Sequence, residues 1–402
     1  MASGLAEIPL RAPSPINGDD GTAGFGLYLH WPFCAAKCPY CDFNSHVRHV
    51  EPDQQRFVEG FVHQLKAMRA LTGPREVTSV FIGGGTPSLM EVKTVSSVLD
   101  AADGIYGLPG GIEITMEANP QSAEAGRFAG YRAAGVNRLS LGVQSLIDTE
   151  LRFLGRLHNV AEARAAIDLA RQTFPRLSFD LIYARPGQAP EGWAAELNAA
   201  IDMAADHLSL YQLTIEDGTA FRRLYEAKKF RLPEEGVAAD LYALTQEITA
   251  ARGLPAYEVS NHAVPGAESR HNLTYWRYGE YVGIGPGAHG RFKLDNGARH
   301  VTISERHPER WLELVDSEAN GVIETETLDR EAQADEMLLM SLRLVEGLDL
   351  ARYEDIAGRP LSPARLSLLV NDGFIEPVGN SRIRVTPAGM VVLDAVVADL
   401  AA

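Results

Sequence analysis

Three thiols dominate the chemistry available to this chain. All of its cysteines lie in one short run, Cys34-Ala-Ala-Lys-Cys38-Pro-Tyr-Cys41. Thiolates are soft ligands suited to iron–sulfur clusters. Three of them on a cuboidal [4Fe-4S] cluster leave one iron open, and an open iron can take a substrate or cofactor, whereas a fully ligated one only holds structure. The alternative is a zinc ion with His46 as fourth ligand, but zinc sites more often join a CxxC pair to a distant second pair, and no second thiol pair exists here. A secreted disulfide framework would spread an even number of cysteines along the chain.

Other polar groups stand where short apolar runs end. Gly83-Gly84-Gly85-Thr86-Pro87 follows Ser79–Ile82, and Glu117 closes Ile112–Glu117. Gln144 follows Arg138–Gly142, Arg156 lies in Leu-Gly-Arg-Leu-His, and Asp180 lies in Phe-Asp-Leu-Ile-Tyr. Read singly, each is an ordinary solvated or capping residue. Together they offer a carboxylate clamp from Arg, acceptors for hydroxyl or ammonium groups from the acids, and a backbone that a ligand can approach at the glycines.

The elements that must position these groups alternate. Strands are expected at Gly26–His30, Ser79–Ile82, Ile112–Glu117, Arg138–Gly142, Leu177–Ile182 and His207–Leu213. Helices are expected at Gln55–Met68, Ala161–Gln172 and Trp193–Ala204. Such alternation implies an α/β fold with a parallel sheet whose ligand sits at the strands' carboxyl ends. Residues 269–291, rich in Gly, Tyr and His, read as loops and short strands. A helix from Glu331, another at Ser362–Asn371, and a hairpin around Gly379-Asn380 suggest a small winged-helix-like α+β domain. The expected division is a leader over 1–24, a barrel over 25–260, a connecting region over 261–325 and the small domain over 326–402.

Lys+Arg total 37 and Asp+Glu 53, a net charge of −16. That balance, with no Lys/Arg-rich run, argues against a general nucleic-acid binder. No run of about 18 apolar residues is present to span a membrane, and no signal peptide is visible, so the cytoplasm is the expected address.

CxxxCxxC with an aromatic before the last cysteine resembles the signature of the radical-SAM superfamily. The resemblance implies a partial (β/α)6 barrel with S-adenosylmethionine (SAM) at the open iron, and a cluster that, once reduced by an electron donor, cleaves it. The blocks from Tyr28 to Gly290 are similar to the coproporphyrinogen-dehydrogenase-like branch, which implies that Tyr28, Tyr40, Gly84, Gly85, Thr86, Glu117, Gln144, Arg156, Asp180 and Thr214 line SAM. Phe43 stands where the dehydrogenases of that branch carry a further cysteine. His271-Asn272-Leu-Thr-Tyr275-Trp276, followed by Tyr281 and His289, resembles the HemW group of haem chaperones. This implies haem as cargo and an unidentified haem-acceptor protein as partner, with His271, Asn272, Tyr275, Trp276 and His289 as haem candidates. A neutral imidazole can ligate haem iron and aromatic faces can cover a porphyrin; alternatively, His271 hydrogen-bonds locally and the aromatics fill core. The competing functions are an oxygen-independent coproporphyrinogen III dehydrogenase and another radical-SAM enzyme acting on a tetrapyrrole.

Overall fold

The computed structural model describes residues 23–48, 50–122, 125–204, 206–294 and 296–402; the expected leader falls mostly outside them. Helix α1 (Gln54–Thr72) forms where the apolar periodicity asks for it. Asp53 caps it by accepting from Arg56 N at 3.1 Å, and Phe57, Val58, Phe61, Leu65 and Met68 on one face are buried. That face joins a core shared with the strands β1 (Phe25–Trp31), β2 (Ser79–Gly84), β3 (Glu113–Ala118), β4 (Arg138–Gln144), β5 (Arg176–Tyr183) and β6 (His207–Gln212). The six pair in parallel in chain order. Helices α2 (Val92–Tyr106), α3 (Ala125–Ala133), α4 (Val160–Thr173) and α5 (Pro190–Met203) supply crossovers; α4 starts at a capping box made by Asn159 and Glu162. This is the expected six-unit α/β barrel.

The sheet continues past those six strands. β7 (Asn261–Ala263) pairs antiparallel with β6 at one edge. After the helix α6 (Arg270–Trp276), β8 (Glu280–Ile284) pairs parallel with β1 on the other side. β9 (His289–Lys293), β10 (Arg299–Ser304) and β11 (Val322–Thr327) follow antiparallel, so the order is β11-β10-β9-β8-β1-β2-β3-β4-β5-β6-β7. The His271–Trp276 segment is therefore helical, not a loop. Ser269 caps it by accepting from Asn272 N at 3.3 Å, and the Glu113 carboxylate accepts from Arg270 N at 2.9 Å and His271 N at 3.3 Å. Both satisfy donors that a helix start leaves unpaired. α7 (Pro308–Glu318) packs Trp311 onto Phe57 and Phe61 of α1.

The last segment builds its own core. It contains α8 (Arg330–Ser341), β12 (Leu348–Asp349), α9 (Leu350–Ala357), α10 (Pro363–Asn371), the hairpin of β13 (Ile375–Val378) and β14 (Arg382–Val385), and α11 (Leu393–Ala401). Leu338, Leu342, Leu348, Tyr353, Ile375 and Leu400 fill its interior. Ion pairs hold it to the barrel: Arg277 with Glu346 at 2.6 Å and Arg291 with Glu336 at 3.0 Å. Among the described residues no helix is long and apolar enough to cross a membrane.

Candidate functional site

The cysteine loop leaves the carboxyl end of β1. Phe33 and Cys34 pair with His46 and Val47, Cys41 N donates to Cys38 O at 3.1 Å, and Phe221 N donates to Pro39 O at 2.8 Å. Tyr40 packs on Phe221 at 6.3 Å between ring centroids. Two polar side chains reach the thiols. Thr86 Oγ1 donates to Cys34 Sγ at 3.4 Å and Arg156 Nη1 donates to Cys38 Sγ at 3.3 Å. Asn119 bridges the two donors, giving Nδ2–H to Thr86 Oγ1 at 3.0 Å and accepting from Arg156 Nη2. Burial pushes the Cys34 thiol up, and the Thr86 hydroxyl and the Arg156 charge work against that rise.

This donor set fits a cuboidal cluster, whose irons hold their thiolates apart. A tetrahedral zinc site instead requires ligands converging on one point. His46, the candidate fourth zinc ligand, instead donates through Nε2 to Arg306 O at 3.2 Å.

Small residues clear the floor beside the loop. Gly84 has φ +114°, and a Cβ at Gly85 would stand 2.6 Å from Phe33 O, so only glycine lets β2 approach the cysteine loop this closely. Over Gly142 the side chains of Gln144, Asn119 and Arg156 converge, within 3.0–3.3 Å of where a Cβ would lie. Over Gly83 those of Tyr28 and Glu117 do the same, each at 3.1 Å. Arg156 also gives Nη2–H to Gly142 O at 2.8 Å, while its buried Nε has no partner among the described residues. Gln144 holds φ +71°, a conformation that costs a non-glycine residue roughly 1–3 kcal/mol and is kept where the surroundings enforce it. These cradles suit a ligand bearing ribose, ammonium and carboxylate groups.

Burial, and then the neighbouring Asp180 carboxylate, push Glu117 up to about 8; burial pushes Asp180 up to about 6. Glu117 accepts from Gly84 N at 3.1 Å. Tyr28 donates to His30 Nδ1 at 2.9 Å, since His30 Nε2–H donates to Asn44 O at 2.9 Å and burial holds His30 neutral, down to about 4. Thr214 lies exposed beyond the end of β6 and lines no part of the cavity described next.

A cavity of about 520 Å³ opens beside the loop. Tyr28, Gly84 and Glu117 line it, as do Phe43, Tyr275, Trp276, Tyr281, His289, Arg291, Arg299 and Met340. The haem candidates therefore split. Tyr275, Trp276 and His289 reach the cavity; His271 and Asn272 do not. His271 is 1% exposed. Its Nδ1 meets Ser79 Oγ at 2.9 Å, its Nε2 meets Tyr275 OH at 2.7 Å, and its ring stacks on Phe81 at 5.0 Å. It has no lone pair to give a metal without breaking a buried hydrogen bond. Asn272 turns to Tyr257 OH at 3.4 Å. His289 is exposed on β9, and burial with the Arg291 and Arg306 charges keeps it below the usual imidazole range, so it is neutral and able to ligate. Sequence reasoning passed over Asn119, although it stands two residues beyond Glu117, and over His30 and Arg299, which no short motif marks.

The model of the radical SAM superfamily matches residues 28–199, and that of the HemN C-terminal domain matches 328–392. A mouse protein named radical S-adenosyl methionine domain-containing protein 1, mitochondrial, is 41% identical over 84% of this chain and 76% of its own length. Heme chaperone HemW of Escherichia coli K12 is 41% identical over 71% of this chain and 75% of its own. Heme chaperone HemW of Mycobacterium tuberculosis H37Rv is 36% identical over 98% and 97%. Among solved structures, coproporphyrinogen III oxidase (HemN) from E. coli superposes with a TM-score of 0.77 at 22% identity, over 94% of this chain and 90% of that one, which shows the shared fold.

Proposed function

The chain belongs to the radical SAM superfamily, in the group that holds HemW, and from that premise we propose that it is a haem chaperone: it binds haem beside a SAM-ligated [4Fe-4S] cluster and passes the haem to an acceptor protein. The observation that carries the reading is the cavity. It joins the cysteine loop to three residues with the right chemistry for a metalloporphyrin, the aromatic faces of Tyr275 and Trp276 and the neutral imidazole of His289.

Cys34, Cys38 and Cys41 hold the cluster, and cluster and SAM together supply one-electron chemistry when bound. Around them the chain's own groups do defined work. Arg156 neutralises thiolate charge and, held by Gly142 O and Asn119, presents a fixed guanidinium for a carboxylate. Glu117, once ionised, accepts from ribose or ammonium donors. Gln144 stands over Gly142 and Tyr28 over Gly83, one in each glycine cradle. His271 holds Tyr275 in place, and His289 takes the haem iron. Phe43, 57% exposed and lining the cavity, contributes apolar surface where a porphyrinogen dehydrogenase would need a thiol. An electron donor serves the cluster. A reducing compartment, the cytoplasm in a bacterium, suits the thiols.

Titrating haem into the anaerobically reconstituted protein tests this reading. A sharp Soret band saturating near one equivalent is expected, with no conversion of coproporphyrinogen III when SAM and a reductant are supplied. Sustained porphyrinogen turnover without saturable haem binding would replace the chaperone by the dehydrogenase.

A further inference from the structure

The strand register gives the cavity two ends. Gly84 pairs with Trp31, at the carboxyl end of β1 beside the cysteine loop. Arg291 pairs with Tyr281, and Tyr281 with Gly26, five residues back along β1. At about 3.3 Å per residue, roughly 16 Å separates the two levels. Arg299 lies further back still, since it pairs with Lys293, two positions beyond Arg291. His289 sits between the ends, two residues from Arg291 along β9 and so on the same face of the strand.

The end away from the cluster is built for an anion. Arg299 lines the cavity while only 2% exposed. Its guanidinium lies 3.8 Å above the Tyr278 ring and gives Nη2–H to Gly279 O at 2.8 Å. Its Nε is buried with no partner, and no carboxylate pairs with it among the described residues. A buried cation without a counter-charge is costly and points to an anionic ligand. Beside it Arg291 already holds a carboxylate, that of Glu336 on α8 at 3.0 Å. Glu336 also accepts from Tyr278 OH at 3.0 Å.

We propose that Arg291 and Arg299 form a carboxylate-binding end of the cavity, which orients haem with its propionates away from the cluster, and that Glu336 occupies part of this end until the ligand displaces it. The inference rests on the haem reading above and adds the direction in which the porphyrin lies. Arg291 and Arg299 offer charge-assisted donors to the propionates. His289 then meets the iron from the same strand. Displacing Glu336 loosens one tie between α8 and the barrel, so carboxylate binding and the seating of the small domain are linked.

The test compares ferric haem with ferric haem dimethyl ester, which has the same ring and metal but no free carboxylate, on the full cluster-bearing protein. Haem should bind at least roughly tenfold more tightly than the ester. Arg291→Met should weaken haem by roughly tenfold and leave the ester unchanged. Glu336→Gln should tighten haem a few-fold, because it frees Arg291. Arg164→Met, on the exposed side of α4, should change nothing. Equal affinity of wild type for haem and ester would overturn the proposal while leaving haem binding intact. If Arg291→Met weakens SAM and not haem, the carboxylate belongs to SAM, and the proposal also falls. If wild type binds neither haem nor ester, the chaperone reading itself fails with it.

Discussion

Replacing His271 by Phe separates a buried structural imidazole from a metal ligand. Phenylalanine keeps the stacking on Phe81, at 5.0 Å between centroids, and deletes both ring nitrogens. Two hydrogen bonds are lost, to Ser79 Oγ at 2.9 Å and Tyr275 OH at 2.7 Å. Each contributes about 1 kcal/mol net, and the Ser79 hydroxyl, fully buried, loses its His271 partner at a further cost of about 1–3 kcal/mol. The expected destabilisation is therefore about 3–5 kcal/mol, a drop of several degrees in the thermal midpoint of cluster-free protein. The ferric haem spectrum should keep the same axial ligation, with at most a moderate loss of affinity from a looser Tyr275. His289→Ala should do the opposite: little change in thermal midpoint, since the side chain is exposed, and a shifted or lost Soret band. Thermal unfolding and haem absorption on the same preparations suffice. An undiminished midpoint in His271→Phe together with a lost haem ligand signature would refute the assignment and return the ligand to His271.

The Glu117 carboxyl is held protonated in the fold up to about 8, against 4.5 when unfolded; in that window the unfolded chain binds fewer protons, so cluster-free protein should lose stability as pH rises from about 4.5 to about 8. Glu117→Gln should flatten that profile, gaining on the order of 2–4 kcal/mol at pH 8, and denaturant midpoints across pH would show it; an unchanged slope would contradict the assignment. Asn119→Ala should weaken SAM roughly tenfold by releasing Arg156, read from the reduced-cluster spectrum, with iron content intact. Gly85→Ala drives a Cβ against Phe33 O, 2.6 Å away, and should lower iron and sulfide per chain by displacing the cysteine loop; full cluster content in that variant would show the approach to be relaxed.

The parts legible in the sequence were those whose signal is local. α1 carries its apolar stripe and its cap within one window, and three barrel strands are short apolar runs that end on residues of the site, Gly83-Gly84, Glu117 and Gln144. The cysteine spacing is likewise a property of eight consecutive residues. What stayed hidden was non-local. β8 pairs with β1 across the whole barrel, Phe25 opposite Glu280, and nothing in either segment announces the other. α6 is only seven residues long and starts on a carboxylate from β3, so its helical period was drowned by the glycines that follow. The same helix explains why His271 looked like a ligand: residues four apart share a face, so the spacing that brings imidazole and phenol together also ties them to each other.

Haem transfer tests the central claim most directly. Protein bearing its cluster and one equivalent of haem is mixed with a haem-free b-type cytochrome, and in parallel with excess apomyoglobin as a passive trap. The account predicts that haem reaches the cytochrome faster than it escapes to the trap, and that removing the cluster ligands by Cys38→Ala slows that delivery. Haem arriving in the cytochrome no faster than in the trap, with or without the cluster, would contradict it.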